Sequence, residues 1–366
     1  MTNRIIFITP GLAKGGAETQ MLKLARFLKL QNMEVLIISL KQINDFPENL
    51  KDVGIKVVFL NSNWMVHFVP NVFTLLKCIR TFKPDAVIAF MFIAIVIGRL
   101  VKPLFRYRLI SSIRASRIDR KWVCIFKLTS KLDNLVVYNS STSKLNFEST
   151  NMMSSTGIVI GNAIKLPDKT VNGACNNHSF RWISIAHFRV DKDYKTLFKA
   201  ISLIKDRNFK IDIVGHLYDL EWPASMILEL GIQNHVNLLD FQAHPSDFLR
   251  NSDALILSSF SEGMPNAILE AMAFSKPVLG SDIDSIKEIL IHSGCGLLFK
   301  TADPADLALK MGEIMDMTKE NRVELGNRGK RYIKTNFDED IILNNWLQVL
   351  NPFLMKKDNA RISNKS

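Results

Sequence analysis

Residues 254–279 read ALILSSFSEGMPNAILEAMAFSKPVL: an apolar run, a short polar loop, a helix-length stretch and a second apolar run. The two runs, Ala254–Leu257 and Pro277–Leu279, are apolar without alternation, as strands buried on both faces of a parallel sheet are. Between them, one residue resists a reading as ordinary core. Glu270 is the only charge in Ala267-Ile-Leu-Glu-Ala-Met-Ala-Phe274. The pattern predicts a buried carboxylate that something must hydrogen-bond or neutralise. A second carboxylate, Glu262, lies eight residues earlier, in the loop leaving the first strand. Pro265 suits a first helical turn, where its missing N–H costs nothing. The N–H groups of Asn266 and Ala267 then open a helix, a position that favours an anion such as phosphate. Together these features suit a phosphate-linked sugar whose ribose hydroxyls satisfy Glu270. The plainer alternative is a solvated Glu262 and a Glu270 bonded within the protein.

Upstream, the same alternation of strand and helix repeats. Ile5–Thr9, Val35–Leu40, Lys56–Leu60, Asp85–Phe90, Leu109–Ile113 and Asn134–Val137 read as strands, and Gly15–Leu30 as an amphipathic helix. Ala86–Gly98 is apolar for 13 residues, too short to span a membrane, and reads as a buried strand running into a helix. Leu166–His178, polar with Pro, Gly and three Asn, reads as a linker. The pattern then restarts with strands at Trp182–Ala186, Lys210–Val214 and Val236–Leu239 and helices at Lys195–Lys205 and Met226–Leu230. The expected fold class is α/β, with two Rossmann-like doubly wound domains facing a cleft. Residues 1–170 form the first domain and 178–337 the second. A C-terminal helix over 338–355 docks back, and 356–366 is a polar tail.

A chain of 366 residues is too long for one ordinary core. Four widely spaced cysteines form no C-x-x-C, which argues against a disulfide framework or a zinc site and for a reducing compartment. The net charge of +12 is unevenly placed, with 24 basic against 10 acidic side chains in residues 1–170. It peaks between Arg99 and Lys131, where ten cations face only Asp119, with Phe105, Tyr107, Trp122 and Phe126 interleaved. Such a mixture suits an anionic membrane surface; nucleic acid and a merely solvated face are the other readings.

Two loops carry further chemistry. Pro10-Gly-Leu-Ala-Lys-Gly-Gly-Ala-Glu18 leads from the first strand into the first helix, and Gly15 and Gly16 allow close approach of backbone to a ligand. Its spacing is neither the dinucleotide fingerprint nor a P-loop. After the strand at Trp182, Ala186-His-Phe-Arg-Val-Asp-Lys-Asp193 places Arg189 and Lys192 as two cations aimed at a pyrophosphate. Asp191-Lys-Asp193 and Asp282-Ile-Asp284 are short D-x-D strings with no neighbouring ligands, and no metal is expected.

The set of motifs resembles family 4 of the glycosyltransferases, a retaining, nucleotide-sugar-dependent family of GT-B architecture and bacterial surface-polysaccharide type. Glu262-Gly-Met-Pro-Asn-Ala-Ile-Leu-Glu270 matches its E-x7-E motif, Gly15-Gly-Ala-Glu18 its N-domain loop and Lys192-Asp-Tyr194 its lysine motif. Ile160-Gly-Asn162 resembles its interdomain strand end and Gly294-Cys-Gly-Leu-Leu298 a late turn, so the likeness runs through nearly the whole chain in order. The resemblance implies that Glu262, Lys192 and Arg189 are catalytic. It also implies a donor site formed by Gly15, Gly16, Glu262, Gly263 and Met264 with Asn266, Ala267, Glu270, Arg189 and Lys192. No cofactor or metal is implied beyond the nucleoside-diphosphate sugar itself. There are departures: His187 stands where many members have an arginine, and Arg114, a candidate acceptor-side residue, where many have a histidine near the reacting centre. Asp284-Ser285 replaces a common Gly-Gly pair, and His216 a second glycine after Gly215.

The expected protein is thus a cytoplasmic enzyme held peripherally at the inner face of a membrane. Its partners would be the nucleotide-sugar donor, a lipid-linked or growing saccharide acceptor and the anionic membrane surface, with no nucleic acid. The alternatives are a nucleotide-sugar epimerase of the same fold and a non-catalytic membrane-associated scaffold. A nicotinamide-dependent oxidoreductase is disfavoured by the missing G-x-G-x-x-G.

Overall fold

The structure is a computed structural model and describes residues 2–46, 50, 53–167, 179–242 and 244–354. The chain divides into two compact units. Unit 1 comprises Met1–Ala163 with Asp340–Ser366, and unit 2 comprises Ile164–Glu339. The linker expected over 166–178 lies, from residue 168 onward, outside the described residues, as does the tail over 356–366.

Unit 1 is built on a seven-stranded parallel sheet. Its elements run β1 (Arg4–Thr9), α1 (Gly16–Leu30), β2 (Glu34–Ser39), β3 (Lys56–Phe59), α2 (Phe68–Phe82), β4 (Ala86–Phe90), α3 (Phe92–Val101), β5 (Arg108–Ile113), α4 (Arg120–Thr129), β6 (Leu135–Tyr138), α5 (Ser141–Ser149) and β7 (Ile158–Val159). The strand order is β3-β2-β1-β4-β5-β6-β7, all parallel. Alternate residues of β1 feed opposite faces: Ile5 and Phe7 join one core, Ile6 and Ile8 the other. Both faces are therefore buried, which is why the strand is an unbroken apolar run. The apolar segment from Ala86 resolves into β4 and α3, and no described helix is long and apolar enough to cross a membrane.

Unit 2 repeats the plan with β8 (Phe180–Ile185), α6 (Tyr194–Leu203), β9 (Phe209–Val214), α7 (Trp222–Glu229), β10 (Val236–Leu238), α8 (Pro245–Arg250), β11 (Ala254–Leu257), α9 (Asn266–Ala273), β12 (Val278–Ser281), α10 (Asp284–Ser293), β13 (Gly296–Phe299), α11 (Pro304–Asp316) and α12 (Lys319–Asn336). Its six parallel strands run β10-β9-β8-β11-β12-β13. Six consecutive strands of each unit thus follow the 3-2-1-4-5-6 order of the doubly wound fold, and each unit is Rossmann-like. One expectation needs correction: Gly294–Leu298 is no turn alone, since Gly296–Phe299 pairs in register with Val278–Ser281.

Two packing features fix the helices around these sheets. α12 lies against α9 through glycines. A Cβ on Gly326 would fall 1.8 Å from the carbonyl oxygen of Ser275, just past α9, and one on Gly329 3.1 Å from Cβ of Met272 within it. The last helix, α13 (Glu339–Leu354), places Ile342, Leu343, Trp346, Leu350 and Leu354 in the unit 1 core beside Phe7, Ile88 and Phe90.

Candidate active site

In a doubly wound sheet, ligands bind beyond the carboxyl ends of the strands, where the strand order reverses. In unit 2 that point lies between β8 and β11. The loops leaving these two strands are 186–193 and 258–265, the two that the sequence marks for chemistry.

The first loop is held from below. Tyr194 Oη donates to the Ala186 carbonyl at 2.6 Å, and its ring stacks on Phe188 with centroids 4.1 Å apart. Burial pushes the Tyr194 hydroxyl up, so it stays a proton donor. Asp193 caps α6 by accepting from the Thr196 N–H at 3.3 Å, in a left-handed backbone conformation (φ 48°). Its Oδ2 is buried without a hydrogen bond among the described residues, and desolvation raises its pKa.

The second loop is sewn to the first. Ser258 Oγ donates to the Lys192 carbonyl at 2.8 Å, and the Phe260 N–H donates to the Asp191 carbonyl at 2.8 Å. From β12, Ser281 Oγ donates to the Ser259 carbonyl at 2.5 Å. Through this frame Lys192 Nζ meets Glu262 Oε1 at 2.7 Å, and Ser259 Oγ donates to the same oxygen at 2.7 Å. Among the described residues, Glu262 Oε2 makes no hydrogen bond. The two side chains are 15% and 13% exposed, so the pair is shielded well beyond an ordinary surface salt bridge. Asp191 Oδ2 lies 3.4 Å from the same ammonium.

Arg189 goes elsewhere. Its Nε donates to Asp191 Oδ1 at 3.0 Å, and its side chain is 63% exposed. The two cations expected together are therefore separated: Lys192 lies against Glu262, and Arg189 stands out in solvent. His187 Nδ1 accepts from the His216 N–H at 3.0 Å, joining the ends of β8 and β9.

Two details of the E-x7-E segment differ from expectation. Pro265 is not inside the helix but precedes it as the N-cap residue of α9, its carbonyl accepting from Ile268 and Leu269. Glu270 is half-buried rather than enclosed. Its apolar neighbours Leu269, Ala271, Met272 and Ala273 turn to the core, whereas Ala267, one turn earlier, shares its partly exposed face. Gly263 and Met264, between Glu262 and α9, and Asn266, the first residue of α9, are partly exposed.

Three of the four D-x-D carboxylates are engaged: Asp191 with Arg189, Asp193 as a cap and Asp282 with Lys287 at 3.0 Å; Asp284 is exposed in the first turn of α10. Among the described residues no group of three His, Cys, Asp or Glu side chains could hold a metal ion.

Unit 1 places its own marked residues at the corresponding strand ends. Gly15 is the extended N-cap of α1, and Gly16 is the first helical residue. A Cβ on Gly15 would come within 2.6 Å of Glu18 Oε2, so the glycine makes room for that carboxylate. Burial raises the Glu18 pKa. At the end of β4, Met91 adopts φ 68°, ψ 160°, a region open essentially to glycine alone. Arg114, just past β5, donates to Ser112 Oγ at 2.9 Å and Asn162 Oδ1 at 3.1 Å. The ten-cation segment is less uniform than its sequence. Arg99 is fully buried and pairs with Asp133 while lying 4.1 Å from the centre of the Phe126 ring. Lys102 is partly buried on the Leu132 carbonyl, whereas Arg106, Arg108, Arg117, Arg120, Lys121, Lys127 and Lys131 are exposed.

Sequence reasoning missed Ser258, Ser259 and Ser281, although a Ser-Ser pair closing a buried strand is a readable signal. It also missed the strain at Met91, for which a methionine leaves no signal at all.

Residues 173–332 match the family described as glycosyl transferases group 1. A glycosyltransferase of Methanocaldococcus jannaschii is 24% identical over 260 residues, covering 62% of this chain and 64% of the relative. The N,N'-diacetylbacillosaminyl-diphospho-undecaprenol alpha-1,3-N-acetylgalactosaminyltransferase of Campylobacter jejuni is 26% identical over 167 residues, 46% of this chain and 43% of that one. The chain thus spans less than two thirds of the length of these curated relatives. Among solved structures, a glycosyltransferase from Rickettsia africae superposes with a TM-score of 0.83 at 18% identity, over 97% of this chain and 100% of that one. Anabaena Alr3699/HepE in complex with UDP and glucose gives 0.83 at 17% identity, over 96% and 100%. At such identities the likeness establishes the fold, two Rossmann-like domains of the GT-B type. With the matched segment covering the Lys192–Glu262 pair and α9, this chain carries a glycosyl transferases group 1 domain over residues 173–332.

Proposed function

We propose that the protein is a retaining glycosyltransferase of family 4. It moves a sugar from a nucleoside-diphosphate donor to a hydroxyl of a lipid-linked or growing saccharide in cell-surface polysaccharide synthesis. The observation that carries this reading is the shielded Lys192–Glu262 contact at the point where the unit 2 strand order reverses. An ammonium has three N–H donors and Glu262 takes one, which leaves donors for the oxygens of a diphosphate. Glu262 Oε2 accepts from a hydroxyl of the donor sugar, and Glu270 accepts from the ribose hydroxyls. The anomeric carbon–oxygen bond to the diphosphate breaks as the acceptor oxygen bonds to that carbon on the same face. The acceptor proton passes to an oxygen of the departing diphosphate. Lys192 stabilises the charge that develops there.

The printed names of relatives support the acceptor class. They include, besides the Campylobacter enzyme, a lipopolysaccharide core glycosyltransferase of Rhizobium meliloti and a capsular polysaccharide glycosyltransferase of Staphylococcus aureus. None of the relatives described favours an epimerase or a scaffold.

A cytoplasmic position against a membrane is supported by unit 1. Arg120 and Lys121 occupy the first turn of α4 and Arg117 precedes it, so three cations surround the one N-cap carboxylate, Asp119, which lies 3.7 Å from Lys121. Cations there oppose the helix dipole, a local cost that suits an external anion. On the same face of the sheet, Met65 is 97% exposed, and Val66, Phe68, Val69 and Phe73 stand out beside it.

The deciding experiment incubates the purified protein with a panel of nucleotide sugars, with and without membrane lipid extract and with excess chelator. Expected is donor-dependent transfer that requires the extract and survives chelation. Donor conversion without an acceptor would make it an epimerase, and loss on chelation with manganese rescue would return the D-x-D strings to consideration.

A further inference from the structure

Arg114 is a cation without an anion among the described residues. Its guanidinium lies 5.3 Å from the centre of the Phe90 ring and 5.6 Å from that of Trp346, over two rings that are themselves stacked. Its protein partners are all neutral: Ser112 Oγ, Asn162 Oδ1 and, at 3.4 Å, the Ile160 carbonyl. No described carboxylate pairs with it. Burial lowers its pKa, with no neighbouring charge contributing. Arg99, fully buried in the same unit, is the control, since Asp133 grips its guanidinium through both oxygens. Holding a partly buried cation among neutral groups carries a desolvation cost that an arriving counter-charge offsets.

Its position fits such an arrival. Arg114 follows β5 at the carboxyl ends of the unit 1 strands, next to the end of β4. There the Met91 N–H donates to the Ser112 carbonyl at 3.2 Å from its strained conformation. Backbone strain of this kind collects where ligands are handled.

We infer that Arg114, clamped between Phe90, Trp346, Ser112 and Asn162, binds an oxyanion of the acceptor, a carboxylate or phosphate presented to the carboxyl end of the unit 1 sheet. This rests on the transferase reading above, in which unit 2 holds the donor. A guanidinium fork matches two oxygens of either group, and Nη2, which has no hydrogen bond to a described residue, is its open donor.

The test is binding, so that it stands apart from catalysis. D-glucuronate and inorganic phosphate, with D-glucose as the neutral control, are titrated into wild type, Arg114→Gln and Lys192→Ala, each checked by thermal unfolding. Expected is binding of an oxyanion by wild type and Lys192→Ala, weakened by about tenfold or more in Arg114→Gln, and none of glucose. Should the glutamine variant fail to fold, Arg114→Lys serves instead, with affinity reduced but not abolished, because charge remains and the fork is lost. Glucuronate binding the tighter identifies an acidic sugar, and phosphate the tighter a phosphorylated acceptor. Undiminished affinity in Arg114→Gln, or no oxyanion binding by wild type, overturns the inference. Loss only in Lys192→Ala assigns the anion to the donor site and overturns it equally. A protein that binds glucuronate through Arg114 yet transfers no sugar would sink the transferase reading while leaving this site in place.

Discussion

The two sheets share a strand order but equip it oppositely. In unit 2 the loops after the central strands bring a cation and an anion together, Lys192 on Glu262, within a frame of serine hydroxyls and backbone bonds. In unit 1 the corresponding ends carry a glycine-capped helix, a strained Met91 and an arginine paired with no described carboxylate. One set of strand ends has its charges balanced in advance, and the other leaves a charge to be balanced by what binds. The scaffold does not choose between these outcomes; the few residues past each strand do.

The sharpest way to break the contrast is to unpair unit 2. Glu262→Ala should abolish transfer with the fold intact, and Lys192→Ala should lower kcat/KM by about 2–4 kcal/mol of transition-state stabilisation. The double variant should be no worse than Glu262→Ala alone, because the two side chains form one unit. Additive losses in steady-state kinetics would mean that they act separately.

In unit 1 the comparison turns on surface charge. Reversing the exposed Arg106, Arg108, Arg117 and Lys121 should release the protein from anionic vesicles in co-sedimentation, each cation contributing roughly 1 kcal/mol at most. Binding should also weaken as salt rises. Equal binding to neutral vesicles would remove the membrane from the account.

Smaller still is the expected effect of Arg189→Ala. Exposed and tied to Asp191, this residue should cost less activity than Lys192 by about tenfold or more. If the two losses match, Arg189 swings inward when donor binds.

The smallest effect concerns Asp193. Burial raises its pKa, so the ionised form is penalised in the folded state. That penalty vanishes below the unfolded value and grows as pH rises through the folded one. Asp193→Asn, tolerant of φ 48°, should therefore raise thermal stability near neutrality by under about 1 kcal/mol. The gain should shrink as pH falls toward 4, which melting curves at several pH values would show.

Most of the fold was legible in sequence because strands buried on both faces leave unbroken apolar runs. Ala254–Leu257 is bounded as the structure bounds it, and β1 differs by one residue. The late strand Gly296–Phe299 escaped because Gly294-Cys-Gly carries the marks of a turn. In the site, residue identities were readable and partnerships were not. Glu270 looked enclosed because its sequence neighbours are apolar, yet a helix turns those neighbours toward other faces. Arg189 and Lys192 looked alike in a polar loop, and only the single turn Val190–Lys192 sends one to Glu262 and the other outward. Arg99 and Arg114 were two cations in one basic run, until long-range packing gave Asp133 to the first and aromatic rings to the second.

The placement of α13 bears on how the molecule is made. Trp346 and Leu350 fill the layer beside Phe90 and Ile88, yet they are translated after all of unit 2. As the ribosome delivers the chain, the intervening unit is complete before the first has its final wall. For that interval the older sheet, with α1 already seated on it, waits with part of one greasy side uncovered, a window in which a chaperone has something to hold.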